Sequence, residues 1–257
     1  MKKLFINKYF LTFAGIILFF LLWYLIYLGV GQNRAVFPGP IETIEEAFSY
    51  LGSQYLYKSI WGSLSRMLIA FGMASGAGIL LGVLVGNITP MKHVFNPTIT
   101  ALKAIPTAAL VYLFLILSNL KDAPIYVVMV IVFPLVYEAT VAGYSNVDTQ
   151  LVMASRVDGA RSLMCNLKIK FPLSLPYIGV GVLASFSLSF KVEIMAEVIT
   201  GSTGYGLGTV IRATQGADPT DMVTIFGYSL IAVILVLLIS ISVDLIKDRL
   251  KKSKLAY

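Results

Sequence analysis

The sequence predicts an all-α polytopic membrane protein with about six transmembrane helices. Three observations carry this. Of 257 residues, 58% are hydrophobic, and the mean hydropathy is +0.84. Only 13% are charged, where a soluble domain carries about 25%. The apolar residues also gather into long uncharged stretches. Those at 9–33 and 67–91 run 25 residues each, and those at 104–120, 123–137, 171–190 and 222–243 run 17, 15, 20 and 22. A helix crossing the hydrocarbon core needs about 20 apolar residues. The stretch at 123–137 extends past Glu138 to Gly143, and that at 104–120 extends back through Leu102, Ala101 and Ile99.

The elements follow in order as one transmembrane domain over 1–257. Residues 1–8 precede a first span at 9–31. Lys2, Lys3 and Lys8 ahead of an apolar run would suit a signal peptide. That run is too long, and no clear small-x-small cleavage site follows it, so an uncleaved helix is the better reading. In segment 34–58, Phe37-Pro38-Gly39-Pro40 is a rigid turn. Ile41, Ile44, Phe48 and Leu51 then recur at helical spacing, with Glu42, Glu45 and Glu46 in the first turns. This predicts a short amphipathic helix, lying on the membrane or its neighbours or simply solvated. The second span, 64–88, carries glycines at 72 and 76 and at 78, 82 and 86, on two adjoining faces. Small residues at this spacing let helices approach closely, inside one subunit or across a dimer seam. Lys103-Ala104-Ile105-Pro106 opens the third span, 99–119, with the proline near its first turn. The fourth span covers 123–143, the fifth 174–195 and the sixth 222–245, followed by a basic tail at 246–257. Four glycines within 201–208 argue against a regular helix, so 196–221 is expected to be a loop or re-entrant segment.

Charge sets the expected orientation. The net charge is +7, but its placement argues against nucleic acid as a partner. With six spans, one side holds 14 Lys and Arg, namely Lys2, Lys3, Lys8, Lys92, Lys103, Arg156, Arg161, Lys168, Lys170, Lys247, Arg249, Lys251, Lys252 and Lys254. The other side holds 5, Arg34, Lys58, Arg66, Lys121 and Arg212, while Lys191 lies within a span. The positive side is expected to be cytoplasmic, which puts both termini and the 144–173 loop inside. The single cysteine, Cys165, leaves no intrachain disulfide and no multi-cysteine metal site. The single histidine, His93, beside Lys92, reads as a solvated turn residue.

The 144–173 loop is polar and basic between apolar runs, yet Val147, Leu151, Ala154 and Val157 form an apolar stripe broken at Gly159. A second helical stretch carries Leu163, Leu167 and Lys170, so two short helices meeting at a glycine are expected. The positive-inside rule explains Arg156, Arg161, Lys168 and Lys170 but not the stripe. The spacing from 153 resembles the cytoplasmic motif E-A-A-x3-G-x9-I-x-L-P of permease subunits of bacterial ABC importers. Ala154, Gly159, Ile169 and Pro172 match, while Met153 stands for the Glu, Ser155 for the second Ala and Phe171 for the Leu. Glu138-Ala139-Thr140 is a decoy, because Gly143 follows after two residues instead of three. Phe37-Pro38-Gly39-Pro40, Ile105-Pro106, Asn146-Val147-Asp148, Gly159-Ala160, Leu175-Pro176, Glu197 and Gly206-Leu207-Gly208 also occur in order. Over roughly 35–245 the chain resembles permeases of the nitrate/sulfonate/taurine type. The resemblance implies the type I ABC importer permease fold, with Met153, Ala154, Ser155, Arg156, Asp158, Gly159, Ala160, Arg161, Ile169 and Pro172 in the ATPase-coupling loop. It also implies a second permease copy, a separate cytoplasmic ATPase that uses ATP and magnesium, and an extracellular solute-binding protein in a bacterial cytoplasmic membrane.

The chain holds no G-x-x-x-x-G-K-[ST] phosphate loop, so ATP hydrolysis is expected in a partner and no cofactor in this chain. Lys191, Glu193 and Glu197 are candidates for an outer vestibule that meets solute or binding protein. Glu193 and Glu197 share a helix face at i,i+4, and Lys191 does not lie between them. Snorkelling to the outer interface is the alternative. An ion-coupled secondary transporter would be expected to show inverted repeats, and no convincing repeat is found. An intramembrane enzyme is disfavoured by the single histidine, the single cysteine and the lack of metal-ligand spacing in the spans. The solute itself is open among nitrate, sulfonates, taurine, bicarbonate and vitamin precursors.

Overall fold

The structure, a computed structural model, describes residues 8–157 and 162–254. The described residues are helical with no strand. The expected segments 1–7 and 255–257, and Asp158, Gly159, Ala160 and Arg161 of the coupling loop, lie outside them. Five helices are long and apolar enough to cross a membrane, or six if one bent pair counts as a span.

The first helix, α1 (Lys8–Gly29), is apolar on every face, and its hydrophobic window is 0% buried. Contacts hold its far end. Trp23 Nε1 donates to the Pro38 carbonyl at 3.1 Å, and the Trp23 ring lies against Phe226. The Pro-Gly-Pro turn then starts α2 (Pro40–Ser49), whose fixed proline φ suits a first helical turn. Thr43 and Ala47 face inward, and Tyr50 stacks on Tyr228 of the last helix with ring centres 4.4 Å apart. An apolar groove of about 670 Å³ separates α1 from α2 and the last helix.

The second span differs from expectation. α3 runs unbroken over Gln54–Asn87, starting ten residues before position 64. Lys58 and Arg66 interrupt the apolar window without interrupting the helix, since both are good helix formers. The two glycine series separate here. Gly78, Gly82 and Gly86 form the seam with α6 (Ala123–Ser145), where a Cβ on Gly82 would lie 2.5 Å from that of Thr140. A Cβ on Gly72 or Gly76 would meet nothing within 4 Å.

The third span is not one helix. α4 (Thr89–Ala104) and α5 (Thr107–Leu117) meet at 94°. Pro106 has no N–H to continue α4, and its ring pushes Ile105 out of the helical region, to φ −70° and ψ 124°. At this elbow Lys103 pairs with Glu138 of α6, so Lys103 belongs to the elbow and not to a loop beyond the spans.

α6 stands at the centre between α3 and the fifth span. Val127, Val128, Val132 and Val136 are fully buried there with Ala70 and Ala74 of α3 and Val192 and Ala196 of the fifth span. α7 (Thr149–Val157) and α8 (Ser162–Cys165) follow, then a single π turn, Asn166–Lys170, and α9 (Phe171–Thr200) without a break. α9 ends at Gly201, whose left-handed φ of 62° lets its N–H return to the Glu197 carbonyl. The segment expected as a glycine-rich loop contains a further helix, α10 (Leu207–Ala217). α11 (Met222–Lys254) carries the sixth span straight into the basic tail. α2 and α10 therefore lie at one end of the bundle, and α7 and α8 at the other.

Candidate functional site

Two places gather the residues that sequence reasoning singled out. At the α7 end, Asp148 Oδ1 accepts from the Gln150 N–H at 2.8 Å and so starts α7. Val147 and Cys165 are buried, and the Cys165 thiol points to the Val152 carbonyl at 3.9 Å, tying α8 back to α7. Lys170 lies over the Tyr144 ring at 5.3 Å, which seats the π turn on α6.

The apolar stripe is split by this packing. Val147 turns inward, whereas Leu151 and Ala154 are exposed together with Met153, Met164 and Leu167. Ile169 is half-buried and Pro172 exposed in the first turn of α9. Several large apolar side chains stand uncovered on two short helices at one tip of the molecule. Such a patch marks a surface that meets another protein or the membrane. Ser155 and Arg156 belong to α7, and Asp158, Gly159, Ala160 and Arg161 fall outside the described residues.

At the other end lies a knot of buried charge. Glu193 and Glu197 of α9 have 0% of their surface exposed. Between them sits Arg66 of α3. Its Nε donates to Glu193 Oε1 at 3.2 Å, and its Nη2 donates to Glu197 Oε1 and to the Tyr205 carbonyl, the latter at 3.0 Å. Ser63, one turn before Arg66, donates to Glu197 Oε2 at 2.8 Å and accepts from the Leu207 N–H at 2.9 Å. The Gly208 N–H donates to the same Glu197 oxygen at 2.9 Å. The carboxylate thus meets the free amides at the start of α10, where the helix dipole favours an anion.

Glycine permits the approach. A Cβ on Gly208 would lie 2.4 Å from the Ile194 carbonyl oxygen, and one on Gly62 would lie 2.0 Å from that of Tyr205. Of the four carboxylate oxygens in the knot, Glu193 Oε2 is the one buried without a hydrogen-bond partner among the described residues. The knot joins α3 to α9 and the start of α10, which lie more than a hundred residues later, and its chemistry is that of a clamp. No cluster of metal-ligating side chains occurs among the described residues.

The three vestibule candidates do not form one group. Glu193 and Glu197 come together, but they face Arg66 and not open space, because an uncompensated carboxylate at this depth is costly. Lys191 does not join them, and it is exposed on another face of α9. Sequence reasoning missed Arg66 and Ser63. The available signal was an arginine bordering the uncharged 67–91 stretch, one turn from a serine, with an acidic i,i+4 pair elsewhere in the spans.

Comparison with known proteins adds kinship to geometry. Residues 74–255 match the family described as binding-protein-dependent transport system inner membrane component. A probable ABC transporter permease of Brucella melitensis is 29% identical over 205 residues, covering 79% of this chain and 80% of that protein. A nitrate import permease of Leptolyngbya laminosa is 29% identical over 218 residues, covering 80% and 76%. Among solved structures, an inward-facing MetNI methionine ABC transporter chain aligns with a TM-score of 0.65 at 19% identity, covering 77% of this chain and 97% of that one.

Proposed function

Because the chain belongs to the family of binding-protein-dependent transport system inner membrane components, and is the permease component of an ABC importer, we propose how it is placed and driven. It sits in a bacterial cytoplasmic membrane with both termini inside. The α7 and α8 tip faces the cytosol, and α2 and α10 face outward. Two copies form the route for a small solute of the nitrate, sulfonate, taurine or vitamin-precursor class. An extracellular binding protein delivers the solute. A separate ATPase binds and hydrolyses ATP beneath each copy.

The observation that supports this assignment of the tip is the exposed apolar set Leu151, Met153, Met164 and Leu167 on two short helices. Movement can pass between separate chains only through a shape-matched, rigid contact. These helices offer one, and α8 runs through the π turn directly into α9. In the sequence Gly159 falls between the two helices, at the position of the family motif's glycine.

Gly159→Asp tests the reading. The variant is expected to insert at normal levels but to lose ATPase docking or transport-linked hydrolysis. Arg161→Ala is expected to act more mildly, since an exposed ion pair contributes about 0–1 kcal/mol. ATPase pull-down and solute uptake, in membranes with matched permease levels, provide the measurement. Wild-type behaviour of Gly159→Asp in both assays removes the coupling assignment.

A further inference from the structure

Lys103 and Glu138 form an ion pair where a membrane-crossing chain ordinarily avoids one. Lys103 Nζ donates to both Glu138 oxygens, at 2.9 and 2.7 Å. Both side chains are part-open, with 41% of the lysine and 44% of the glutamate exposed. Glu138 stands seven residues before the end of α6, about 10 Å along the helix axis, and thus inside the span. We propose that the elbow between α4 and α5 is a water-facing station on the solute route, and that Lys103 there contacts an anionic group of the solute. This rests on the reading of the chain as a permease and adds a specificity-determining residue to it.

Half-open charges at membrane depth cannot face hydrocarbon at low cost; they turn toward water or toward protein. The neighbouring surface of the elbow is also uncovered. Ile105 at the elbow and Tyr112, Leu113 and Ile116 along α5 are exposed as well, and the described residues leave each side chain of the pair part-open. The Arg66 knot is the contrast, because its two carboxylates have no exposure and nearly all their bonds are made within the chain. The Lys103 pair is the one that an incoming molecule can reach.

The sign of the station comes from the break in the span. The first backbone bond of α5 runs from the Leu110 N–H to the Pro106 carbonyl, at 3.2 Å. The N–H groups of Thr107, Ala108 and Ala109 therefore have no carbonyl in their own helix, and no side chain caps them. Their partial positive charge adds to that of Lys103, while Glu138 and the free carbonyls at the end of α4 oppose it. Broken spans commonly turn such helix starts toward anionic groups. An anion can take the lysine's donors while Glu138 keeps them occupied when the route is empty.

Thiol chemistry tests this without knowledge of the solute. In a Cys165→Ala background, Glu138→Cys and Lys103→Cys are made singly, in inverted membrane vesicles that also contain the ATPase. Two methanethiosulfonate probes are compared, anionic sulfonatoethyl and cationic trimethylammonium-ethyl. Leu18→Cys on the apolar face of α1 gives the lipid-facing baseline. Both elbow thiols are expected to react well above that baseline. At Glu138→Cys, where Lys103 is left unpaired, the anionic probe should be favoured about tenfold relative to the ratio for a free thiol. At Lys103→Cys that preference should be lost. Baseline reactivity at both positions, or a cationic preference at Glu138→Cys, overturns the proposal. ATPase pull-down from the same membranes reports the permease reading separately. Unreactive elbow thiols with an intact pull-down therefore sink the elbow assignment alone.

Discussion

Arg66 holds two buried carboxylates and a backbone carbonyl from the centre of the knot. Removing it leaves both acids uncompensated, which for a buried pair costs about 3–5 kcal/mol. Arg66→Ala is therefore expected to lower the thermal unfolding midpoint of the detergent-purified chain by roughly 10 °C. Arg66→Lys should fall between, because an ammonium cannot bridge both acids with a planar fork. An unchanged midpoint in Arg66→Ala would show that the knot does not hold the fold. The i,i+4 acids were legible in the sequence, since helix periodicity is a local property. Their partner was not, because Arg66 lies 127 residues before Glu193, and nothing local to either says that they meet.

At the scale of elements, periodicity and length located α1, α6 and α11 well, while boundaries strayed wherever local chemistry and tertiary packing disagreed. Charge at Lys58 and Arg66 masked the first turns of α3. Pro106 was visible but was taken for the opening of a span, whereas it ends α4 and starts α5. α10 was hidden behind Gly201, Gly204 and Gly206, which belong to the turn before it. The glycine series of α3 could not be assigned to a partner until α6 was seen against it. Gly82→Ala is expected to cost about 1–3 kcal/mol, since its new methyl would crowd Thr140. Gly76→Ala, with open space around it, should be neutral or slightly stabilising because alanine favours the helix. Side-by-side denaturation of the two variants in detergent checks this. Equal losses would show that helix propensity, not the seam, sets the effect.

For the whole molecule, the ends of the bundle differ in kind. One tip is apolar and uncovered, while the opposite end is fastened by charge. Cysteines at positions 54 and 161 are expected to label from opposite faces of the membrane, and labelling of both from one face would overturn the six-span placement. α9 connects these ends as an unbroken rod of 30 residues, running from the π turn to Gly201. Its far end is held at Glu193 and Glu197, so mechanically the knot is a fulcrum and the rest of α9 a lever arm. From the knot to Phe171 that arm is about 36 Å long. A rotation of roughly five degrees at the fulcrum becomes about 3 Å of travel at the tip, close to half the distance between neighbouring side chains on a helix face. Any tilt of α9 about the knot would reach the tip enlarged, and α6, packed against α9 at Gly143 and Ala139, would have to tilt with it.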